Sequence, residues 1–403
     1  MMIKKLLLCL CIAFYSSSTF AVIGTWTAKA AMPTERSTHV AFSLNGQGFI
    51  CGGANYSTNF NDLWAYNPNT NTWTQKASFP GDGRQELSAF VIGNYAYVGL
   101  GRNVNTGECF KSFYRYDPIN DQWSQVADCP VKRYAAGSFS IGTTGYVTCG
   151  LAPNEPRYND LYAYNPSTNT WSQKTSLPTL LGGRAFPCTV SANGKAYLMG
   201  GFTGTIIYND LWEYNPNSDA WTFIAISPLG QRSYSLGFTL SNKIFFGMGR
   251  GNNNTNNQDW LCYNPSNNKW DSVSNYPQNN TIGGACFTLN AKAYVCGGFN
   301  VNDSVMNYTN ELSDPSLGLK SNNQINLLKP YFAQNTKQIF SNAFSGELKL
   351  SIYNLNGKEV MNKNINVEGD SQIQIDLSSL ETGLYVASIS NAGETKTIKI
   401  VLQ

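Results

Sequence analysis

The chain has a single histidine, His39, and nowhere spaces two cysteines as Cys-x-x-Cys. One imidazole is too few for a zinc or copper site built on histidines, so neither a metal nor a cofactor is expected. Charge is scarce too. Asp, Glu, Lys and Arg make up 13% of the 403 residues, about half the usual share. The formal charge of +3 shrinks to 26 basic against 25 acidic residues once Lys4 and Lys5 leave with the N-terminal leader. Such a balance lacks the basic face that nucleic acid requires and excludes it as a partner. Long apolar runs are missing as well: Leu6 to Phe14 is about half of what a bilayer needs. With lysines before it and small or polar residues up to Ala21, that run reads as a secretory signal peptide over residues 1–21. No transmembrane segment is expected in the mature chain. Export permits disulfides among the eight cysteines that remain after Cys9 and Cys11 are removed.

What is plentiful is aromatic residues (13%), glycine (36 residues) and repetition. "NDLWAYNPNTNTW" at 61–73 returns as "NDLYAYNPSTNTW" at 159–171 and "NDLWEYNPNSDAW" at 209–221. Trp73, Trp123, Trp171, Trp221 and Trp270 are spaced by 50, 48, 50 and 49 residues, and Trp26 stands 47 before the first. Glycine clusters keep the same beat, from "CGG" at 51–53 to "CGG" at 296–298, and so does arginine at 36, 84, 133, 184 and 232. Within each unit, short alternating segments flank turn residues such as Asn193-Gly194, which predicts four antiparallel strands per unit of about fifty residues. A single such sheet cannot bury both faces, so the units must stack around an axis. The last unit lacks a final Trp, while Trp26 has a fourth-strand sequence with no strands before it. We therefore expect residues 22–32 to close the sixth sheet.

Paired glycine, a Tyr about a dozen residues on, then Pro and Trp, with Arg opening the next unit, resembles the kelch repeat over residues 22–315. The resemblance implies an all-β, six-bladed propeller. Units 2 and 5 depart from it, with "GLG" at 99–101 and "GMG" at 247–249.

After Pro315 the tryptophans stop. Residues 316–325 read as a polar linker, and 326–403 as a small Ig-like antiparallel β-sandwich with period-two alternation at Leu348, Leu350, Ile352, Ile373, Ile375, Leu377, Ile398 and Ile400. "IYNLNGKEV" at 352–360, "IDLSSLETGLYVASI" at 375–389 and the ending "KTIKIVLQ" resemble the type A C-terminal sorting domain of the type IX secretion system. That resemblance implies that residues 326–403 engage the type IX machinery and that the protein is secreted or attached to the outer surface of a Gram-negative bacterium. On pattern alone, a generic Ig-like accessory module is the alternative.

Propeller ligands bind where inter-strand loops converge on the central channel. Arg36, Arg84, Arg133, Arg184 and Arg232 open the innermost strands and are expected to form a partial ring at one mouth. Alternatively, each is a repeat residue bonding neighbouring loop carbonyls. Arg102 and Arg250 follow the odd glycine patterns of units 2 and 5 and should face each other across the axis. Together the seven arginines predict a mouth for an acidic glycan or an acidic peptide segment. The leading expectation is a non-catalytic recognition module for a carbohydrate or protein. The alternative is a carbohydrate-active enzyme: resemblance to the six-bladed N-acetylneuraminate epimerases, thought to work with Glu and Arg, would make Glu86 the catalytic carboxylate of a sialic-acid epimerase or mutarotase. Kelch-type copper radical oxidases need two histidines and are excluded. His39 is expected to be a packed residue, and Cys51, Cys149 and Cys296 small buried ones. Folding the hairpin near Ile119 should bring Cys109 opposite Cys129 as a disulfide.

Overall fold

The computed structural model describes residues 23–178, 182–278, 281–300, 302, 304–314, 331–333, 338–342, 346–354, 358–367, 372–390 and 395–402. The expected leader (1–21) and linker (316–325) lie outside the described residues. The chain divides into two compact units, Met1–Leu317 and Gly318–Gln403.

In the first unit the described residues build six four-stranded antiparallel sheets. Their innermost strands, Val40–Leu44, Ser88–Ile92, Gly137–Ile141, Cys188–Ala192, Leu236–Leu240 and Ala285–Leu289, touch one another in cyclic order, so the sheets form the blades of a propeller. Five blades are continuous in sequence. The sixth takes its outer strand, Thr25–Ala28, from the start of the chain, pairing it with Thr309–Ser313 from Thr25 opposite Ser313 to Ala28 opposite Asn310. That pairing covers the last sheet edge and closes the ring.

The repeated aromatics explain why neighbours stack. In blade 1, Tyr66 packs on Trp73 with ring centroids 5.1 Å apart, and the same pair recurs at Tyr116–Trp123, Tyr164–Trp171, Tyr214–Trp221 and Tyr263–Trp270. Four of these indoles also reach back to the preceding blade. Trp73 donates to the Ala30 carbonyl at 3.0 Å, Trp123 to Ala77, Trp171 to Ala127 and Trp221 to Thr175. Trp26 does the same at the closing seam, donating to Ser274 at 2.8 Å and meeting Tyr276 edge-on at 5.1 Å. We expect Trp26→Ala to cost about 2 kcal/mol in a urea titration, less than a fully buried Trp because its ring is half-exposed. An unchanged midpoint would mean that the seam is held by backbone pairing alone.

The glycine beat has two parts with different reasons. The second position, at Gly53, Gly101, Gly150, Gly201, Gly249 and Gly298, has φ between 87° and 105°, and a Cβ at Gly101 would lie 2.7 Å from the Gln85 carbonyl. Only glycine fits there. The first position tolerates Leu100, Cys149 and Met248 at φ near 60°, which is why the pair can degenerate in blades 2, 3 and 5.

All eight cysteines of this region are free. The expected Cys109–Cys129 disulfide is corrected by the register. Cys109 lies in an added two-stranded hairpin, Arg102–Asn103 with Glu108–Cys109, opposite Arg102. It is Lys111 whose carbonyl accepts from the Cys129 amide. The second unit is a sandwich of a three-stranded and a four-stranded sheet. Leu350 and Ile352 from one sheet and Ile375 from the other share a core with Leu377, Tyr385, Ile389 and Ile400.

Candidate functional site

Five of the seven arginines do not stand open at a channel mouth. Arg36, Arg133 and Arg184 are at most 1% exposed, and Arg84 and Arg232 at most 9%. Arg36 makes a two-pronged contact with Asp62 (2.5 and 2.8 Å), Arg133 with Asp160 (2.5 and 2.8 Å) and Arg184 with Asp210 (2.7 and 2.9 Å), while Arg232 meets Asp259 at 3.1 and 3.3 Å. Most also donate to the carbonyl at the first glycine position, as Arg184 does to Gly200 at 2.8 Å. Four of the five guanidiniums, those of Arg36, Arg84, Arg133 and Arg184, lie against an aromatic ring, Arg184 against Tyr208 at 3.7 Å. These arginines tie the entry of each inner strand to the end of the second strand. The expected five-arginine ring is therefore corrected: a buried cation must be neutralised by the protein itself.

Two residues beyond each of these positions the chain does something different. Thr38, Glu86, Ala135, Phe186 and Tyr234, with Gly283 at the matching place in blade 6, have φ between 53° and 65°. Their backbones form a collar: Glu86 donates to the Thr38 carbonyl (2.8 Å), Ala135 to Glu86 (3.1 Å), Phe186 to Ala135 (2.9 Å), Tyr234 to Phe186 (3.2 Å) and Thr38 to Gly283 (2.6 Å). Left-handed φ at five non-glycine residues costs energy that this run of five hydrogen bonds offsets, and such strain concentrates at functional sites. A second tier, bridged to the collar strands, carries Ala54, Arg102, Leu151, Phe202, Arg250 and Phe299.

The side chains of these two tiers converge. Arg102 donates to Glu86 through Nε (2.6 Å) and Nη2 (3.2 Å), with the Tyr134 ring 4.3 Å from its guanidinium. Phe186 and Tyr234 stack with centroids 3.7 Å apart. Glu86, Arg102 and Arg250 all act electrostatically on the Tyr234 hydroxyl, whose pKa burial raises above the ordinary phenol value. Arg102 and Arg250, from blades 2 and 5, thus both stand in the tier bridged to the collar that carries Tyr234. Burial also raises the Glu86 carboxyl above the usual carboxylate range, against the pull of Arg102. The carboxylate is nearly covered (8% exposed), whereas the Arg102 side chain keeps 33% of its surface. Arg157 adds a third cation 5.2 Å from the Phe202 ring. The rim thus offers aromatic faces and partly exposed cations around one buried carboxyl, a set that can hold a sugar ring by stacking and an acidic substituent by charge. Among the described residues no cluster of three His, Cys, Asp or Glu could hold a metal ion.

Residues 11–150 and 126–298 match the family described as the KLHDC2/KLHL20/DRC7 Kelch-repeats domain. The chain belongs to the kelch-repeat family. Residues 333–403 of this kelch protein match the Secretion system C-terminal sorting domain. The tail marks it for export by type IX secretion, so it is secreted or attached at the surface of a Gram-negative bacterium. Kelch-like protein 35 of Mus musculus is 29% identical over 184 residues, which is 44% of this chain and 29% of that protein. Kelch-like protein 15 of Danio rerio is 26% identical over 262 residues, 59% of this chain and 41% of that protein. The chain spans less than half the length of these curated relatives. A solved structure, "Structure of YjhT", superposes with a TM-score of 0.61 at 16% identity over 70% of this chain and 95% of that one. At that identity the likeness speaks for the propeller fold alone.

Within this kelch fold, the sequence-based site kept Glu86, Arg102 and Arg250 and missed Tyr134, Arg157, Phe186 and Tyr234. Counting two residues on from each repeat arginine reaches Phe186 and Tyr234. Their varying identities hide them from any search for the repeat itself.

Proposed function

We propose that the protein is an exported recognition propeller whose channel rim takes a carbohydrate bearing an acidic group. The observation that carries this reading is the placement of Arg102, over Tyr134, and Arg250, near Phe299, in the tier bridged to the collar that holds the stacked Phe186–Tyr234 pair. Stacked rings accept the apolar face of a sugar, and two half-exposed guanidiniums supply charge-assisted hydrogen bonds to its acid. Fivefold burial of the repeat arginines leaves these two as the departures from the repeat that remain available to a ligand. Glycan-array binding of the mature propeller, followed by calorimetry on the best acidic glycan, tests it. Arg102→Ala with Arg250→Ala should weaken that binding about 100-fold or more, the sum of two charged contacts. Undiminished affinity in the double variant would remove the rim from consideration.

A second reading, an epimerase or mutarotase of acidic sugars, rests on Glu86. A carboxyl whose pKa burial raises, beside a phenol and a guanidinium, has the makings of a general acid and base. Anomer exchange of sialic acid followed by NMR, lost in Glu86→Gln while binding persists, would favour the enzyme. Binding without exchange in the parent protein would leave the recognition module.

A further inference from the structure

One blade keeps the buried arginine and loses its acid. The amide at the first glycine position bonds the carbonyl of the residue opposite it in every blade: Gly52 to Asp62, Leu100 to Ser112, Cys149 to Asp160, Gly200 to Asp210, Met248 to Asp259 and Gly297 to Tyr308. These residues are therefore structural equivalents. In blades 1, 3, 4 and 5 the equivalent is the aspartate that neutralises the repeat arginine. In blade 6 both partners change together, since Tyr308 faces a position held by Thr281 rather than arginine. Blade 2 alone strands a charge, with Ser112 where the acid belongs and Arg84 still in place.

Arg84 is 2% exposed. Its Nη1 donates to the Ser112 hydroxyl at 3.1 Å and the Leu100 carbonyl at 3.3 Å, and Phe110 lies 3.7 Å from its guanidinium. Among the described residues no carboxylate lies within ion-pair distance of it. Asp82 and Glu108 act on it only from further away. Burial pulls Arg84 below the ordinary guanidinium range, whereas at Arg133 the same burial is more than offset by Asp160. A buried cation without a counter-ion is costly, and that cost favours an anion from outside.

A depression of about 570 Å³ lies next to Arg84, which stands behind its wall rather than in it. Ser112 and Phe110, the two residues against Arg84, line it, together with Pro130, Tyr158, Lys111 and Lys132. None of the six collar residues contributes to it. Phe110, Pro130 and Tyr158 give an apolar wall, and Lys132 is an exposed cation at the edge. Asp128 already engages Lys111 at 3.5 Å. Glu108 and Glu155 also stand at the rim and disfavour polyanions.

We propose that this depression is a second ligand site, separate from the channel rim, in which the carboxylate of a small apolar-bodied acid takes the place of the missing aspartate over Arg84 and Ser112. The four sister blades define the chemistry: a carboxylate whose two oxygens both meet the guanidinium, through two nitrogens in blades 1, 3 and 4 and through one in blade 5. In those blades the protein supplies that group itself; in blade 2 the space beside Ser112 admits it from solvent.

The test uses the mature protein and phenylacetate as probe, with 2-phenylethanol as its uncharged counterpart, titrated in chloride-free buffer by calorimetry. Phenylacetate should bind, and 2-phenylethanol should bind at least about tenfold more weakly, since it fills the wall without meeting the charge. Ser112→Asp restores the arrangement of the sister blades, so it should fold, raise the unfolding midpoint and abolish phenylacetate binding. Arg102→Ala with Arg250→Ala should leave phenylacetate binding unchanged, separating this site from the rim. No binding to the parent protein, equal binding of acid and alcohol, or equal binding to parent and Ser112→Asp would each overturn the proposal.

Discussion

Arg184→Ala is expected to lower the unfolding free energy by about 3–5 kcal/mol, the range for breaking a buried ion pair from one side. Arg184 is 1% and Asp210 9% exposed, and their double contact at 2.7 and 2.9 Å is supplemented by the Gly200 carbonyl on one partner and the Trp212 indole on the other. Removing the guanidinium leaves a nearly buried carboxylate with the Trp212 indole as its remaining side-chain donor among the described residues. It also strips the Tyr208 ring of the cation 3.7 Å from its centroid. Coulombic gain and desolvation nearly cancel while the pair is whole, so the loss comes from the stranded acid. A double variant, Arg184→Met with Asp210→Leu, should therefore recover most of the stability. Chemical denaturation of parent, single and double variants checks this. A single variant within about 0.5 kcal/mol of the parent, the size of an ordinary surface substitution, would show that the repeat arginines are not structural.

The second large effect is on pH. His39 is buried among Arg36, Gly53, Gly297 and Cys296, and burial, aided by Arg36, holds its pKa down at about 3 against the ordinary 6.5. In the unfolded chain the imidazole takes a proton below about pH 6.5, while in the folded chain it does so only near pH 3. Stability is therefore full above 6.5 and falls as the pH drops through the interval between these values. Between pH 7 and pH 4 the loss is about 3 kcal/mol at 1.36 kcal/mol per unit. Paired carboxylates such as Asp62, held low by the Arg36 contact against burial, give up their contribution only below the usual carboxylate range. Glu86, raised by burial, runs the other way, because the folded state binds its proton more readily. Comparing His39→Leu with the parent isolates the imidazole. The variant should lose most of the slope between pH 7 and pH 4, and an identical slope in both proteins would refute the assignment.

Much of the architecture was readable because a repeat writes it several times. A tryptophan every fifty residues means one indole per blade packing on the same tyrosine, and the beat survives local departures. The displaced first Trp marks the strand that completes the last sheet. The site was legible only where it broke the pattern. Arg102 and Arg250 stood out because the glycine pairs before them degenerate, and Glu86 because no other unit carries an acid there. Phe186 and Tyr234 stand two residues past repeat arginines but share no residue type with the other collar positions, and Arg157 lies outside the beat, so a search for a repeated residue finds none of them. The disulfide reading failed for a related reason: the hairpin 102–109 is an insertion outside the repeat, and it shifts Cys109 away from the strand that faces Cys129.

Local chemistry decides what a spacing can say. Sequence alone determined the propeller of stacked sheets, the exported class and the sorting tail, because alternation, turn residues and recurring aromatics act over a few residues and announce themselves. Which arginines are buried was decided only in three dimensions. The five periodic ones each meet the far end of their own blade, across 26 to 28 residues of chain, and whether an aspartate or a serine waits there sets the charge balance. Burial and counter-charge are properties of that meeting, and neither partner carries them by itself.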